Sequence, residues 1–318
     1  MRRVILAVLA VLCAAPALAD DYPSRPVRII VPTPAGGPVD VMARLLANAL
    51  PATLHQSVFI ENKPGAGNTI GSRLAAAAEP DGYTLMISAA SGLIMSPMIH
   101  SNAGYTADSF TPVILIAEAP QVLVVNPKLP AKSVAELVAL AKASPGKLNY
   151  STGGAGTLPH LAAELFKKLT GANIVHVPYK GGGPSLTAVM AGETQMTFDT
   201  LGTSLQLIRD GKLRALAIGA PKRVPELPDV PTMAELGMPE LTAGAWTALM
   251  APKATPPEII AKLNAAANEA LKSEQMRATL AKIGAQPRGG TPADLAAHIE
   301  RETKKWGPFV TELKLQVD

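Results

Sequence analysis

Two glycine-rich stretches carry the residue types best suited to binding chemistry. The first is Pro32-Thr33-Pro34-Ala35-Gly36-Gly37-Pro38, followed by Asp40. The second is Ser151-Thr152-Gly153-Gly154-Ala155-Gly156-Thr157, followed by His160. Each comes after a short strand-like run and before apolar residues at helical spacing, so each is predicted as a strand–loop–helix turn. Glycine lets backbone approach a bound group closely. The first helical turn leaves N–H groups free at the positive end of the dipole. Together these features hold an anion, either a carboxylate or a phosphate. Pro38 and Pro159 suit the first helical turn, and Thr157 reads as an N-cap. Asp40 either caps its helix or meets a ligand's amine or hydroxyl. His160 either lines the site or packs at a core edge. Asp199 follows Met196-Thr197-Phe198 at a strand end, where α/β proteins gather ligands; it binds ligand or caps the next helix. One such turn is commonplace, but two in separate halves of a chain suggest a clamp on one anion.

Sharper catalytic motifs fail. Gly154-Ala155-Gly156-Thr157-Leu158-Pro159 lacks the third glycine of a dinucleotide fingerprint, and no Gly-Lys-Ser/Thr or G-x-S-x-G occurs. His55, His100, His160, His176 and His298 are scattered without metal-ligand spacing. No catalytic residue, metal or cofactor is therefore expected. Asp40, His160 and Asp199 are the loose candidates that an enzyme would have to use. The lone Cys13 falls inside an N-terminal apolar run, which leaves no thiol for a disulfide or a nucleophile beyond it. Arg2 and Arg3, the run Val4 to Leu12 and Ala17-Leu18-Ala19 read as a signal peptide over 1–19, cleaved before Asp20 for export to the periplasm. A net charge of +4, two of it in that leader, makes no nucleic-acid footprint.

The elements that must position these loops alternate along the chain. Strands are expected at Val27 to Val31, Val58 to Glu61, Tyr83 to Ser88, Val122 to Val125, Leu148 to Ser151, Ile174 to Pro178, Gln195 to Phe198, Leu213 to Ile218 and Trp246 to Met250. Helices lie between them, one opened by a capping box of Ser133 and Glu136, and long helices follow Pro257 and Pro292. Such alternation predicts βαβ units and a mostly parallel sheet. The fold class is α/β: two Rossmann-like lobes joined by crossing strands, a flytrap of the periplasmic-binding-protein type. Residues 20–120 with 246–318 form lobe 1, and 121–245 form lobe 2. The cleft between them is the expected ligand site.

An ordered series of short motifs then resembles one family. It runs from Tyr22-Pro23-Ser24-Arg25-Pro26 through Pro34-Ala35-Gly36-Gly37 with Asp40, Glu61-Asn62-Lys63-Pro64-Gly65 and Pro80-Asp81-Gly82-Tyr83. It continues with Pro145-Gly146-Lys147-Leu148, Gly154-Ala155-Gly156-Thr157 with His160, Val177-Pro178-Tyr179-Lys180-Gly181, Phe198-Asp199 and Pro228-Asp229-Val230-Pro231. In these the chain resembles the Bug family, the periplasmic receptors of tripartite tricarboxylate transporters. The resemblance implies two lobes closing on a small carboxylate. It places contacts at Pro34, Ala35, Gly36, Gly37, Asp40, Ser88, Ala89, Ala90 and Ser91 in the first lobe. In the second lobe it places them at Ala155, Gly156, Thr157, His160, Tyr179, Lys180 and Asp199. It further implies membrane transporter subunits as partners, with signalling to a membrane sensor kinase as the alternative reading; the absence of a sustained apolar repeat or an obvious surface patch favours a monomer. Thr33, where the family usually has an aromatic, and the weakly polar Ser88-Ala89-Ala90-Ser91 wall point to an apolar or aromatic acid.

Overall fold

A computed structural model describes residues 22–313. The expected signal peptide and Cys13 lie outside the described residues. Val27–Val31 (β1) is buried on both faces: Val27, Ile29 and Val31 join one apolar cluster and Ile30 another. Burial on both faces is why a run of valine and isoleucine, rather than an alternating pattern, marks this strand. It pairs in parallel with Val58–Asn62 (β2) and Thr84–Ala89 (β3). Helices Pro38–Ala49 (α1), Pro51–Leu54 (α2), Thr69–Ala76 (α3) and Ser96–Ile99 (α4) connect and flank these strands.

Phe110–Val125 (β4) is a sixteen-residue strand that runs through both lobes. Only its last four residues are predicted from sequence, because Pro112 and Pro120 break the pattern. After Val134–Ala143 (α5), the second lobe contains Leu148–Thr152 (β5), Leu158–Thr170 (α6), Ile174–Pro178 (β6), Gly182–Ala191 (α7) and Met196–Thr200 (β7). Leu201–Arg209 (α8) and Arg214–Ile218 (β8) complete it. Gly244–Pro252 (β9) returns antiparallel to β4, with Gly244 opposite Pro120 and Pro252 opposite Phe110. Pro257–Lys272 (α9), Glu274–Lys282 (α10), Gln286–Gly289 (β10) and Pro292–Glu312 (α11) close the chain.

The sheet order is β2-β1-β3-β9-β4-β7-β5-β6, with β8 and β10 also on β4. The parallel pairs are β1 with β2 and β3, and β5 with β6 and β7; every pairing of β4 or β9 is antiparallel. The expected mostly parallel sheet is thus mixed. The cause is the crossing: a strand that enters a lobe from its neighbour runs away from the cleft, against the strands that end there. The long helix expected from Pro257 ends at Lys272, and Ser273 caps a further one, not anticipated, by accepting the Met276 N–H. One local expectation changes. Ser133 accepts the Glu136 N–H, but the Glu136 carboxylate reaches back to the Lys132 N–H, so the capping box is half made.

Candidate functional site

In lobe 1 the carboxyl ends of β1 and β3 lie side by side, which brings the loop after Val31 next to Ser88. Gly36 adopts a φ of 82°, a left-handed turn that glycine tolerates best, and Gly37 is the N-cap of α1. Asp40 is buried and locks this turn. Its Oδ2 accepts the Gly36 N–H at 2.8 Å and Arg44 Nε at 2.8 Å, while Oδ1 accepts Asn62 Nδ2 at 2.8 Å. Asn62 Nδ2 also reaches the Thr33 carbonyl at 3.1 Å. Burial raises the Asp40 pKa, but the bonds from Arg44, Gly36 and Asn62 and the guanidinium charge outweigh it and hold the carboxyl at about 2. Both oxygens are committed within the lobe. Pro34, Ala35 and Gly36 are exposed, and the N–H groups at the start of α1 have no preceding turn to bond. Ser88 is buried at the end of β3, with its hydroxyl 3.3 Å from the Ala89 carbonyl. Ala90 and Ser91 lead into a π-helical turn over Ser91–Met95, a distortion that often accompanies function.

Lobe 2 repeats the device. The pairing of β5 with β6 and β7 sets Thr152, Pro178 and Thr200 at neighbouring strand ends. The Gly156 N–H donates to His160 Nδ1 at 3.1 Å, four residues ahead, as Gly36 does to Asp40. Thr157 occupies the N-cap position, but its hydroxyl donates to the Gly154 carbonyl at 2.8 Å instead of capping α6. The Thr152 hydroxyl accepts the Gly154 N–H at 3.1 Å and lies 2.7 Å from His176 Nε2. A side chain at Gly153 would come within 3.0 Å of the backbone at Gly181 and Gly182, so the two loops of this lobe touch.

The other predicted residues divide. The Tyr179 N–H bonds to the Thr152 carbonyl at 2.9 Å, whereas its hydroxyl donates to Glu193 at 3.2 Å. Lys180 is exposed beside it. Asp199 is buried, and its Oδ2 accepts the hydroxyls of Thr203 and Ser204. Burial pushes its carboxyl up, against the pull of those bonds and of the Thr200 backbone. Its Oδ1 is 3.9 Å from where a side chain at Gly182 would begin, so it borders the start of α7. Ala155 is exposed at the loop tip, and a Cβ at Gly156 would stand 2.7 Å from Ile99 of lobe 1. The two lobes therefore meet at this loop.

Sequence reasoning passed over the roles of Asn62 and Arg44, and it saw Thr152 and His176 without their contact. Arg44 had a signal, since Asp40 and Arg44 stand at helical i,i+4 spacing. Among the described residues no group of histidine, cysteine or acidic side chains is arranged to hold a metal. None of the described helices is long and apolar enough to cross a membrane. Cavities of about 520 Å3 occur elsewhere, one beside Leu93, Met98 and Ile299 and one beside Glu118, Arg288 and His298. Neither is lined by the latched loops, whose paired geometry is the better match to ligand chemistry.

Comparison with known proteins agrees with this architecture. Residues 42–315 match the family described as the tripartite tricarboxylate transporter family receptor. The protein BugT of Bordetella pertussis is 42% identical over 304 residues, covering 94% of this chain and 92% of that protein. An R. palustris protein solved with adipate is 37% identical, with a TM-score of 0.79 over 92% of this chain and 98% of that one. MatC from Rhodopseudomonas palustris, solved with bound malate, is 35% identical, with a TM-score of 0.76 over 90% and 98% of the two chains. The chain accordingly belongs to the receptors of the tripartite tricarboxylate transporter family, periplasmic solute-binding proteins of the Bug type and not enzymes.

Proposed function

We propose that the protein captures a small carboxylate between the loops at 34–37 and 155–157 and delivers it to the membrane subunits of a tripartite transporter. The observation that carries this reading is the repeated latch. Each lobe ends a strand in a glycine turn, pins that turn to a side chain four residues on, and opens a helix N-terminus beside it. Such termini favour an anion without a metal or a cofactor. The adipate and malate held by related proteins are both dicarboxylates, which supports the class. The weakly polar segment 88–91, in which Ala89 and Ser91 keep some exposure while Ala90 is buried in the core, favours an acid with an apolar body. Lobe 1 comprises 20–120 with 246–318 and lobe 2 comprises 121–245, so that β4 and β9 act as the hinge. Ligand bridging both lobes shifts the population toward closure. Residues 1–19 direct export to the periplasm, and the receptor works as a monomer.

A thermal-shift screen of residues 20–318 against small acids and their methyl esters tests this directly. A ligand at a hundredfold excess over its Kd stabilises the native state by about 2.7 kcal/mol. The acid should stabilise and the ester should not, and neither should be consumed. Equal stabilisation by ester and acid would discard the anion clamp.

A further inference from the structure

His160 and His176 form a stacked imidazole pair beneath the second glycine loop, with ring centroids 4.3 Å apart and planes 27° apart. They lie sixteen residues apart in sequence. The parallel register of β5 and β6 sets Tyr150 opposite His176, with their rings stacked at 4.8 Å, and α6 brings His160 onto the same stack. Both rings hold the same loop from different ends. His160 Nδ1 accepts the Gly156 N–H. His176 Nε2 meets the Thr152 hydroxyl, which in turn accepts the Gly154 N–H. We propose that the His160–His176 pair positions the second-lobe anion loop only while His160 is neutral, so that acid releases the loop and with it the ligand. This rests on the carboxylate-receptor reading for its consequence, but not for its geometry.

The chemistry is forced at one atom. A backbone N–H only donates, so His160 Nδ1 must present a lone pair. Protonation puts a second donor there and breaks the contact. It also sets a cation against the His176 ring, which leaves room for at most one charge in the pair. The titratable groups around the pair are Glu164 and Lys167 on α6 and the Tyr150 phenol on β5. Lys167 Nζ bonds Glu164 Oε1 at 2.7 Å, and Tyr150 donates to the same carboxylate. Glu164 still favours a charged imidazole more than Lys167 opposes it, but burial outweighs both. Burial lowers the His160 pKa, with Glu164 opposing and Lys167 reinforcing the shift. His176 is pushed down to about 4 by burial first and then by the His160 charge. A depressed histidine contributes its stability in full above the unfolded value of about 6.5, and loses it as pH falls through the folded value. The loop is therefore released below about pH 6.5, at the depressed value of His160.

The test is an NMR pH titration of the ligand-free protein, following the Gly156 amide and the His160 ring. The Gly156 resonance should move together with His160, at a pH below that of an ordinary histidine. In a His160→Asn variant, Asn supplies an acceptor near the Nδ1 position and cannot protonate, so the Gly156 shift should be flat between pH 4 and 7. His160→Ala should show the released shift at every pH. An ordinary His160 titration with a stationary Gly156, or the same Gly156 movement in the Asn variant, overturns the proposal. No ligand enters this measurement, so a failed carboxylate screen leaves it standing. For any acid that the screen finds, affinity should fall about tenfold per pH unit once the pair takes up its proton, and the Asn variant should lose that dependence.

Discussion

The Gly36 and Gly156 amides are pinned by acceptors of opposite character, one charged and one neutral, and their responses to acid differ accordingly. Asp40 faces three donors: Gly36 N, Arg44 Nε and Asn62 Nδ2. Its carboxyl is held at about 2, below the ordinary value near 3.9. A carboxylate with a depressed pKa contributes stability above its unfolded value, and that contribution disappears as pH falls through about 2. The first loop should therefore stay latched through the range in which His160 lets go of the second. Asp40→Asn places an amide donor against one of those three donors, leaving a buried N–H unpaired. We expect a loss of about 2 kcal/mol in urea unfolding near neutral pH, with the variant's acid limb below pH 4 flatter than the wild type's. A variant as stable as the wild type would mean that the loop does not depend on this carboxylate. The latch also shows what could be read in advance. Asp40 was visible as a first-turn acid, and Arg44 stood at the right spacing. Asn62, which comes from another strand, had no local signal.

Between elements, two glycines let backbone of the two lobes pack directly against each other. Gly202 is the second residue of α8 in lobe 2, and a Cβ there would stand 1.7 Å from the Ile283 carbonyl oxygen. From the other side, a Cβ at Gly284, just before β10, would stand 2.6 Å from Gly202 Cα. Backbone meets backbone, so no side chain can swing away to make room. Gly202→Ala should force α8 from the Ile283 turn and cost roughly 1–3 kcal/mol, measured as a lower urea midpoint with an unchanged slope. A midpoint equal to the wild type's would show that the contact opens freely. No feature of the sequence announces this contact, since the partners are some eighty residues apart and each reads as ordinary loop punctuation. Other elements were legible for local reasons. β1 and β6 are rich in valine and isoleucine, β5 is bracketed by Pro145-Gly146 and the glycine loop at 153–156, and α6 carries Leu158, Leu161 and Phe166 on one buried face. The crossing strand β4 was largely hidden, because Pro112 and Pro120 sit inside it. β10 was hidden because Pro287 and Gly289 fill half of it. His160 and His176 were each seen, but only the packing of α6 over the β5–β6 pair makes them neighbours.

Across the whole molecule, the apolar core does not stop at the lobe boundary. Leu158 and Leu161 of α6, in lobe 2, join a cluster with Ile99, Trp246, Trp306 and Phe309 of lobe 1. Leu161, Trp246 and Trp306 are almost wholly buried there, and both indoles donate to the Glu302 carboxylate, at 3.3 Å from Trp246 and 3.1 Å from Trp306. A shared core of this kind makes each lobe's stability conditional on the other, so heat should unfold the protein in one transition. The same surface carries a cross-lobe ion pair, Lys168 with Glu312, but both side chains are about half exposed, at 54% and 57%. Such pairs are worth little in water. Lys168→Ala should therefore shift stability by less than about 1 kcal/mol. Leu161→Ala, which empties part of the seam, should cost about 2–5 kcal/mol and divide the calorimetric transition in two. The fluorescence of the two indoles should follow the lobe 1 component, because both sit on lobe 1 elements that the seam covers. Two transitions already present in the wild-type protein would show that the lobes fold independently and that the seam only rests between them. A single transition that survives Leu161→Ala would place the coupling in the crossing strands β4 and β9 instead.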